Sequence, residues 1–140
     1  MEIPIKPFLT QVPCPIRTYD IDSARHVSNI VYIRWLEDLR LQMLKEHFPL
    51  RPLFDQGITP VITRTEIDYR KALALFDEPV GRIWMTDMGN IKFTLEAEIM
   101  IGEEVAASAR QEGIFYNINN QRPARIPEEL NEKYQAYFIV

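Results

Sequence analysis

The sequence predicts an α+β domain in which one antiparallel sheet of about five strands lies against a single long helix. Three observations carry this expectation. Residues from Ser28 to about His47 follow a helical period and are apolar around most of the helix circumference. The stretch from Val61 to Ile118 follows a period of two in four successive runs. The connections between those runs are short, which favours antiparallel neighbours over crossovers. An apolar helix and a one-sided sheet must then bury each other.

Each element has its own signal. The start of the chain is broken by prolines, and a short strand is expected around Pro15–Tyr19. In the helix, Tyr32, Leu36, Leu39 and Met43 step by four, three and four residues and share one face. Val31, Ile33, Trp35 and Leu44 widen that face, leaving Arg34, Asp38, Gln42 and Lys45 as a narrow polar strip. Pro49 and Pro52 end the helix, since proline lacks the N–H that a helix interior needs. In "VITRTEIDYR", Val61, Thr63, Thr65, Ile67 and Tyr69 alternate with polar residues, and "PVGRIWMTDMG" follows as a second strand. "IKFTLEAEIMIG" alternates most cleanly, and Gly102 with the acidic pair after it predicts a tight hairpin into "EVAASARQEGIFYNI". Gly113 is expected to mark a bulge in that last strand. Pro127 opens a short terminal helix.

Length and composition bound the function. The 140 residues suit one domain, spanning 1–140, with one sizeable core. A formal charge of −4 argues against a general nucleic-acid binder, and no apolar run is long enough for a membrane helix. The first residues contain two prolines and no apolar core, so no signal peptide is expected. The single cysteine, Cys14, fits a reducing, cytoplasmic setting and shows no activating neighbour. Two histidines and one cysteine far apart give no metal-ligand spacing, so neither a metal nor another cofactor is expected. Glycine-rich nucleotide motifs and the serine-hydrolase elbow are missing as well.

The segment "YDIDSARHVSN" concentrates polar groups directly before the helix. A helix N-terminus presents unpaired N–H groups and a positive dipole, which suit an oxyanion. A carboxylate beside it, Asp22, can serve as nucleophile or as base for water. An activated acyl group such as a thioester matches this small set of groups, because a thiolate leaves readily. The competing role for Asp20 or Asp22 is to cap a turn or the helix, and spacing alone favours it. His26 is open in the same way: it can orient a water or the thioester carbonyl, or simply hydrogen-bond the loop. Arg64, Arg70 and Lys71, with Lys92 and Arg122, are candidates for holding phosphates or for a plain solvated strand face.

The pattern resembles the 4-hydroxybenzoyl-CoA thioesterase type of hotdog acyl-CoA thioesterase. The resemblance rests on Asp20-Ile21-Asp22, His26-Val27, Asn29 and Tyr32, continued by "IRWLEDLR", and on "TEIDYRKAL", "MGNIKFTLEAEI" and "RPARIPEEL". The same segment is similar to acyl-carrier-protein thioesterases of plants. The chain departs from these at Ala24 and Ser28, where asparagines are usual, and at "NIKF", which lacks paired hydroxyl residues. The resemblance implies a hotdog fold and hydrolysis of an acyl-CoA or acyl-carrier-protein thioester without metal or redox cofactor. It makes Asp22 the catalytic carboxylate and His26 its assistant. Ser28, Asn29, Tyr32, Tyr69 and Asn90 would bind substrate, Arg70, Lys71 and Lys92 would bind CoA phosphates, and Tyr32, Trp35 and Phe93 would line an acyl pocket. It also implies a dimer or tetramer of dimers in which the partner's strand residues, near Tyr69 or Asn90, complete each site. Alternatives on the same fold are a module that binds thioesters without cleaving them, and a hydratase or dehydratase. For the last, Glu37 sits too far along the helix to pair with His26.

Overall fold

A computed structural model describes residues 4–139. Its sheet holds β1 (Thr10–Pro13), β2 (Ile58–Tyr69), β3 (Val80–Met88), β4 (Lys92–Ile101) and β5 (Glu104–Asn117) in the order β1-β3-β4-β5-β2, all antiparallel. A short β6 (Arg122–Ala124) takes over from β4 beside the end of β5. The sheet curls around α1 (Asn29–His47), as expected for the hotdog arrangement. A one-turn α2 (Arg51–Asp55) and a terminal α3 (Glu128–Ala136) complete the chain.

The first strand lies earlier than the sequence suggests. Thr10–Pro13 pairs with β3, while Thr18–Asp20 forms a single 3-10 turn instead of the strand expected around Pro15–Tyr19. Pro13 and Pro15 supply no N–H for a ladder, so pairing stops at Pro13. The long helix begins at Asn29, with Ser28 as its extended N-cap residue. Val31, Tyr32, Trp35, Leu36, Leu39 and Met43 are buried, and Leu36 and Leu39 are closed off completely against the sheet. Ile33 does not join them: it is about half exposed, with Ile30 and Leu41, on the outer side of the helix.

Two strands correct the expected alternation. In β2 the register against β5 slips between Ile62 and Arg64, so the extra residue is Thr63, on the partner strand and not at Gly113. As a result Pro60 and Ile62 face inward before the bulge, and Thr65 and Ile67 after it. Gly113 is needed for a different reason. A Cβ there would stand 2.4 Å from the Phe93 ring and 2.8 Å from the Val61 carbonyl oxygen. The β4–β5 hairpin turns tightly at Gly102, whose φ of +60° suits glycine.

β2 is an edge strand. Among the described residues no strand pairs with its outer side, and Val61 and Tyr69 remain well exposed along it. No helix among the described residues is long and apolar enough to cross a membrane.

Candidate active site

The segment before α1 folds into a small closed loop. Ile21 and Val27 form an isolated antiparallel bridge, so Asp22 sits across from His26. The Asp22 N–H donates to the His26 carbonyl at 2.9 Å, and the Arg25 N–H donates to the Asp22 carbonyl at 3.0 Å. Arg25 takes the left-handed conformation, φ +65°, that this reversal requires. The Val27 N–H donates to the Leu73 carbonyl, which fastens the loop to the segment after β2.

The two aspartates do different work here. Asp20 is buried; its carboxylate accepts the Arg17 N–H at 2.8 Å and faces the Arg34 guanidinium at 3.4 Å. Its carbonyl accepts the Ser28 N–H, so Asp20 fixes both ends of the turn. Asp22 is exposed. Its Oδ1 accepts the N–H groups of Ala24 at 2.9 Å and His26 at 3.3 Å. Both bonds converge on that one oxygen. One carboxylate oxygen therefore holds the loop as a capping aspartate does, and the other is left for solvent or substrate.

The neighbouring helix end is open. Ser28 is half-buried and makes no side-chain cap, so no side-chain acceptor occupies the first-turn N–H groups of α1. Asn29 and Ile30 are exposed there. The Tyr69 hydroxyl, from the far end of β2, donates to the Asn29 carbonyl at 3.0 Å. Its ring meets Tyr32 edge-on at a centroid distance of 5.0 Å, and Tyr32 meets Trp35 at 5.1 Å. Burial pushes the Tyr32 phenol up to about 12, so it stays protonated at neutral pH.

The fold thus brings Asp22, His26, Ser28, Asn29, Tyr32 and Tyr69 to one end of α1 within one chain. The other candidates lie elsewhere. Asn90 follows β3 and precedes β4, whose first residue pairs with Ile114. That is the Ile62 end of the sheet, roughly 23 Å along β2 from Tyr69. Lys92 lies beside Asn90 and apart from Arg70 and Lys71. Lys71 is exposed and paired with Glu104, which raises its pKa by hydrogen bond and charge. Arg70 lies on the outer sheet face with Glu66, Asp68 and Arg82. The Phe93 ring packs near Met43 and His47, toward the other end of α1 from Tyr32 and Trp35. Cys14 is buried, and burial pushes its thiol up to about 12. No cluster of three or more potential metal ligands occurs among the described residues.

One polar arrangement has no counterpart among the sequence candidates. Arg40, on the inner side of α1, donates to Gln111 Oε1 at 2.8 Å, and Gln111 Nε2 donates to the Thr65 hydroxyl at 3.0 Å. Arg40 closes the motif "IRWLEDLR", but nothing in its spacing indicates what it would face.

Solved structures with the same arrangement cover almost the whole chain. YbaW, a probable thioesterase from Escherichia coli, aligns at a TM-score of 0.77 with 24% identity over 89% of this chain and 94% of its own. A DHNA-CoA thioesterase from Staphylococcus aureus aligns at 0.81 with 20% identity, covering 91% and 88% respectively. A gentisyl-coenzyme A thioesterase aligns at 0.79 with 20% identity, covering 90% and 98%. At these identities the likeness establishes the hotdog fold alone. No curated protein matches the sequence. A family model does, over residues 16–134, and with it the chain belongs to the thioesterase-like superfamily.

Proposed function

We propose that the protein hydrolyses an acyl-CoA, or an acyl-carrier-protein thioester, to a free acid and a thiol. The observation that carries this reading is the split role of Asp22: Oδ1 anchors the loop, while the second oxygen is unengaged beside an uncapped helix start. Membership of the thioesterase-like superfamily supports the same chemistry. In the reaction the thioester carbonyl oxygen lies against the first-turn N–H groups of α1, which stabilise the negative charge it gains. Asp22 then acts in one of two ways. As a base it removes a proton from water, and the hydroxide adds to the carbonyl carbon. As a nucleophile it forms a mixed anhydride, which water later opens to regenerate the carboxylate. In either route the C–S bond breaks and the thiolate leaves without prior protonation.

His26 has an exposed side chain at the loop edge and supports the attacking water or the carbonyl. Asn29, Tyr32 and Tyr69 shape the wall at the helix start, with Ser28 beneath it. The free edge of β2 favours a second copy of the chain pairing there, since an unpaired edge of 12 residues invites another strand. Asn90 and Lys92 would serve the site only from such a partner. Arg70 and Lys71 are the cations nearest to Tyr69 in sequence and would meet the phosphates of CoA.

The test is a panel of acyl-CoAs read by free-thiol release, with wild type and Asp22→Asn side by side. Release with at least one member of the panel, lost in the variant, is expected. Stoichiometric binding without release would favour the non-catalytic module.

A further inference from the structure

The outward side of α1 carries a stripe that packing against the sheet does not explain. Ile30, Arg34, Glu37 and Leu41 follow one another at spacings of four, three and four residues, so they share one line along the helix. At about 100° per residue, that line runs nearly opposite the buried row of Tyr32, Leu36, Leu39 and Met43. All four side chains are exposed, Ile30 by 70% and Leu41 by 54%. One exposed aliphatic residue is ordinary. Two of them, closing both ends of a stripe with opposite charges between, make a pattern.

The two central charges are only partly used within the chain. Arg34 reaches Asp20 through one nitrogen at 3.4 Å, and its side chain remains 55% exposed. The charge of Glu37 acts on Arg40, one turn along the same helix, but among the described residues Glu37 joins no salt bridge. The order apolar, basic, acidic, apolar is complementary to its own reverse. When two such helices pack antiparallel about a twofold axis level with the midpoint of Trp35 and Leu36, position 30 meets position 41 and position 34 meets position 37. Alternate spacings of three and four are also those that let two helices interlock. The outer face of the sheet has no comparable stripe. Glu66, Asp68, Arg70, Glu96, Glu98 and Arg110 gather there, and Lys6 and Arg82 already lie over its Trp84.

We propose that the outward face of α1 binds the same face of a second copy of this chain, antiparallel, with Ile30 on Leu41 and Arg34 on Glu37 across a twofold axis. A twofold contact must be self-complementary, and this stripe is. The four layers then bury both aliphatic pairs and set each charge against its opposite. The stripe points away from the sheet, whereas the free edge of β2 lies within the sheet, so the two surfaces are separate. Two chains paired along β2 still present α1 to another such pair. Ile30 is the second residue of α1, so the contact brings Leu41 of the other copy beside the helix start of the candidate site. The inference rests neither on hydrolysis nor on pairing along β2.

Crosslinking of the full chain in dilute solution tests the register. The double variant Ile30→Cys/Leu41→Cys should yield a covalent two-chain product with a short bis-maleimide. Within one chain the two positions lie about 16 Å apart along the helix axis, too far for such a linker. Ile30→Cys alone and Leu41→Cys alone should give none, because each faces the other position and not itself. The native Cys14 is buried and stays out of reach. Sedimentation equilibrium supplies a second reading. Leu41→Glu should halve the particle mass with an unchanged circular dichroism spectrum, since Leu41 is exposed. Adding Ile30→Lys to that variant should restore the mass, because the lysine then faces the new carboxylate. Crosslinking as strong in either single variant as in the double overturns the antiparallel register. No crosslink in the double variant, a mass unmoved by Leu41→Glu, or a wild type already at 16.5 kDa overturns the contact and leaves the stripe to another partner or to water. Thiol release does not enter, so this proposal and the thioesterase reading stand or fall separately.

Discussion

Replacing Asp22 by asparagine removes the charge and keeps an oxygen at Oδ1. The structure makes that distinction useful, because Oδ1 is the atom that accepts the Ala24 and His26 N–H groups. Asp22→Asn therefore preserves the loop and forfeits only the attraction of a carboxylate for a helix start, about 0.3–1 kcal/mol. Asp22→Ala loses both hydrogen bonds. These are solvent-exposed, so water replaces them in part and the added cost is about 1–2 kcal/mol, or a few degrees in Tm. Activity should respond differently. Losing the nucleophile or base raises the barrier by about 2.7 kcal/mol or more, a hundredfold fall in thiol release, and both variants lose it equally. The assay is thiol release from the best acyl-CoA of the panel, with circular dichroism melts run in parallel. Asparagine retaining more than a tenth of wild-type turnover with a normal spectrum refutes the catalytic assignment. If alanine is inactive, unstable and rescued in both respects by asparagine, Asp22 is a loop cap and nothing more.

Further outcomes follow from the same geometry. His26→Ala should keep the loop, which uses only the His26 backbone, and lower turnover less than Asp22→Asn does; an equal loss in steady-state assays would give His26 a full catalytic role. Cys14 should resist alkylation at pH 8 until the protein unfolds, because burial keeps its thiol protonated; fast labelling of the native protein contradicts this. The folded thiol titrates near 12 against an ordinary value of 9.0, so the unfolded state ionises first, and the Cys14 contribution to stability is lost as pH rises between the two; melts of wild type and Cys14→Ala across that range should converge. Gly113→Ala should destabilise by about 1–3 kcal/mol in urea, since its methyl group meets both the Phe93 ring and the Val61 carbonyl; an unchanged midpoint would mean β5 yields more easily than its packing implies. Sedimentation equilibrium should find a dimer or larger species, with activity and fold lost together on dilution; a stable, active particle at 16.5 kDa removes the shared-site reading.

The elements with strong periodicity were legible in the sequence, and the irregularities were not. The step of Tyr32, Leu36, Leu39 and Met43 located the buried face of α1 because helical spacing alone decides which side chains share a face. Ile33 was misjudged by apolarity, since hydrophobic residues are often left on surfaces. The β2 bulge stayed hidden because a one-residue slip is set by pairing with β5, a contact some 50 residues away in sequence. Gly113 gave a correct sign that something was unusual, on the wrong strand: the glycine admits the Phe93 ring, while Thr63 opposite carries the extra residue.

The candidate site divides along the same line. Asp22, His26, Ser28, Asn29 and Tyr32 are neighbours in sequence, and a tight loop feeding a helix keeps them neighbours in space. Tyr69 reaches them because β2 is long enough to return from the Ile62 end of the sheet to the helix start. Arg70, Lys71 and Lys92 share only a charge, and charge without register places nothing: Lys92 follows its own strand to the opposite end. Arg40 shows the converse. Its motif made it visible, but its environment is built by Gln111 of β5 and Thr65 of β2. Of the groups acting on Arg40 only Glu37, three residues back on the same helix, follows from helical spacing; Gln111, 71 residues away in sequence, does not.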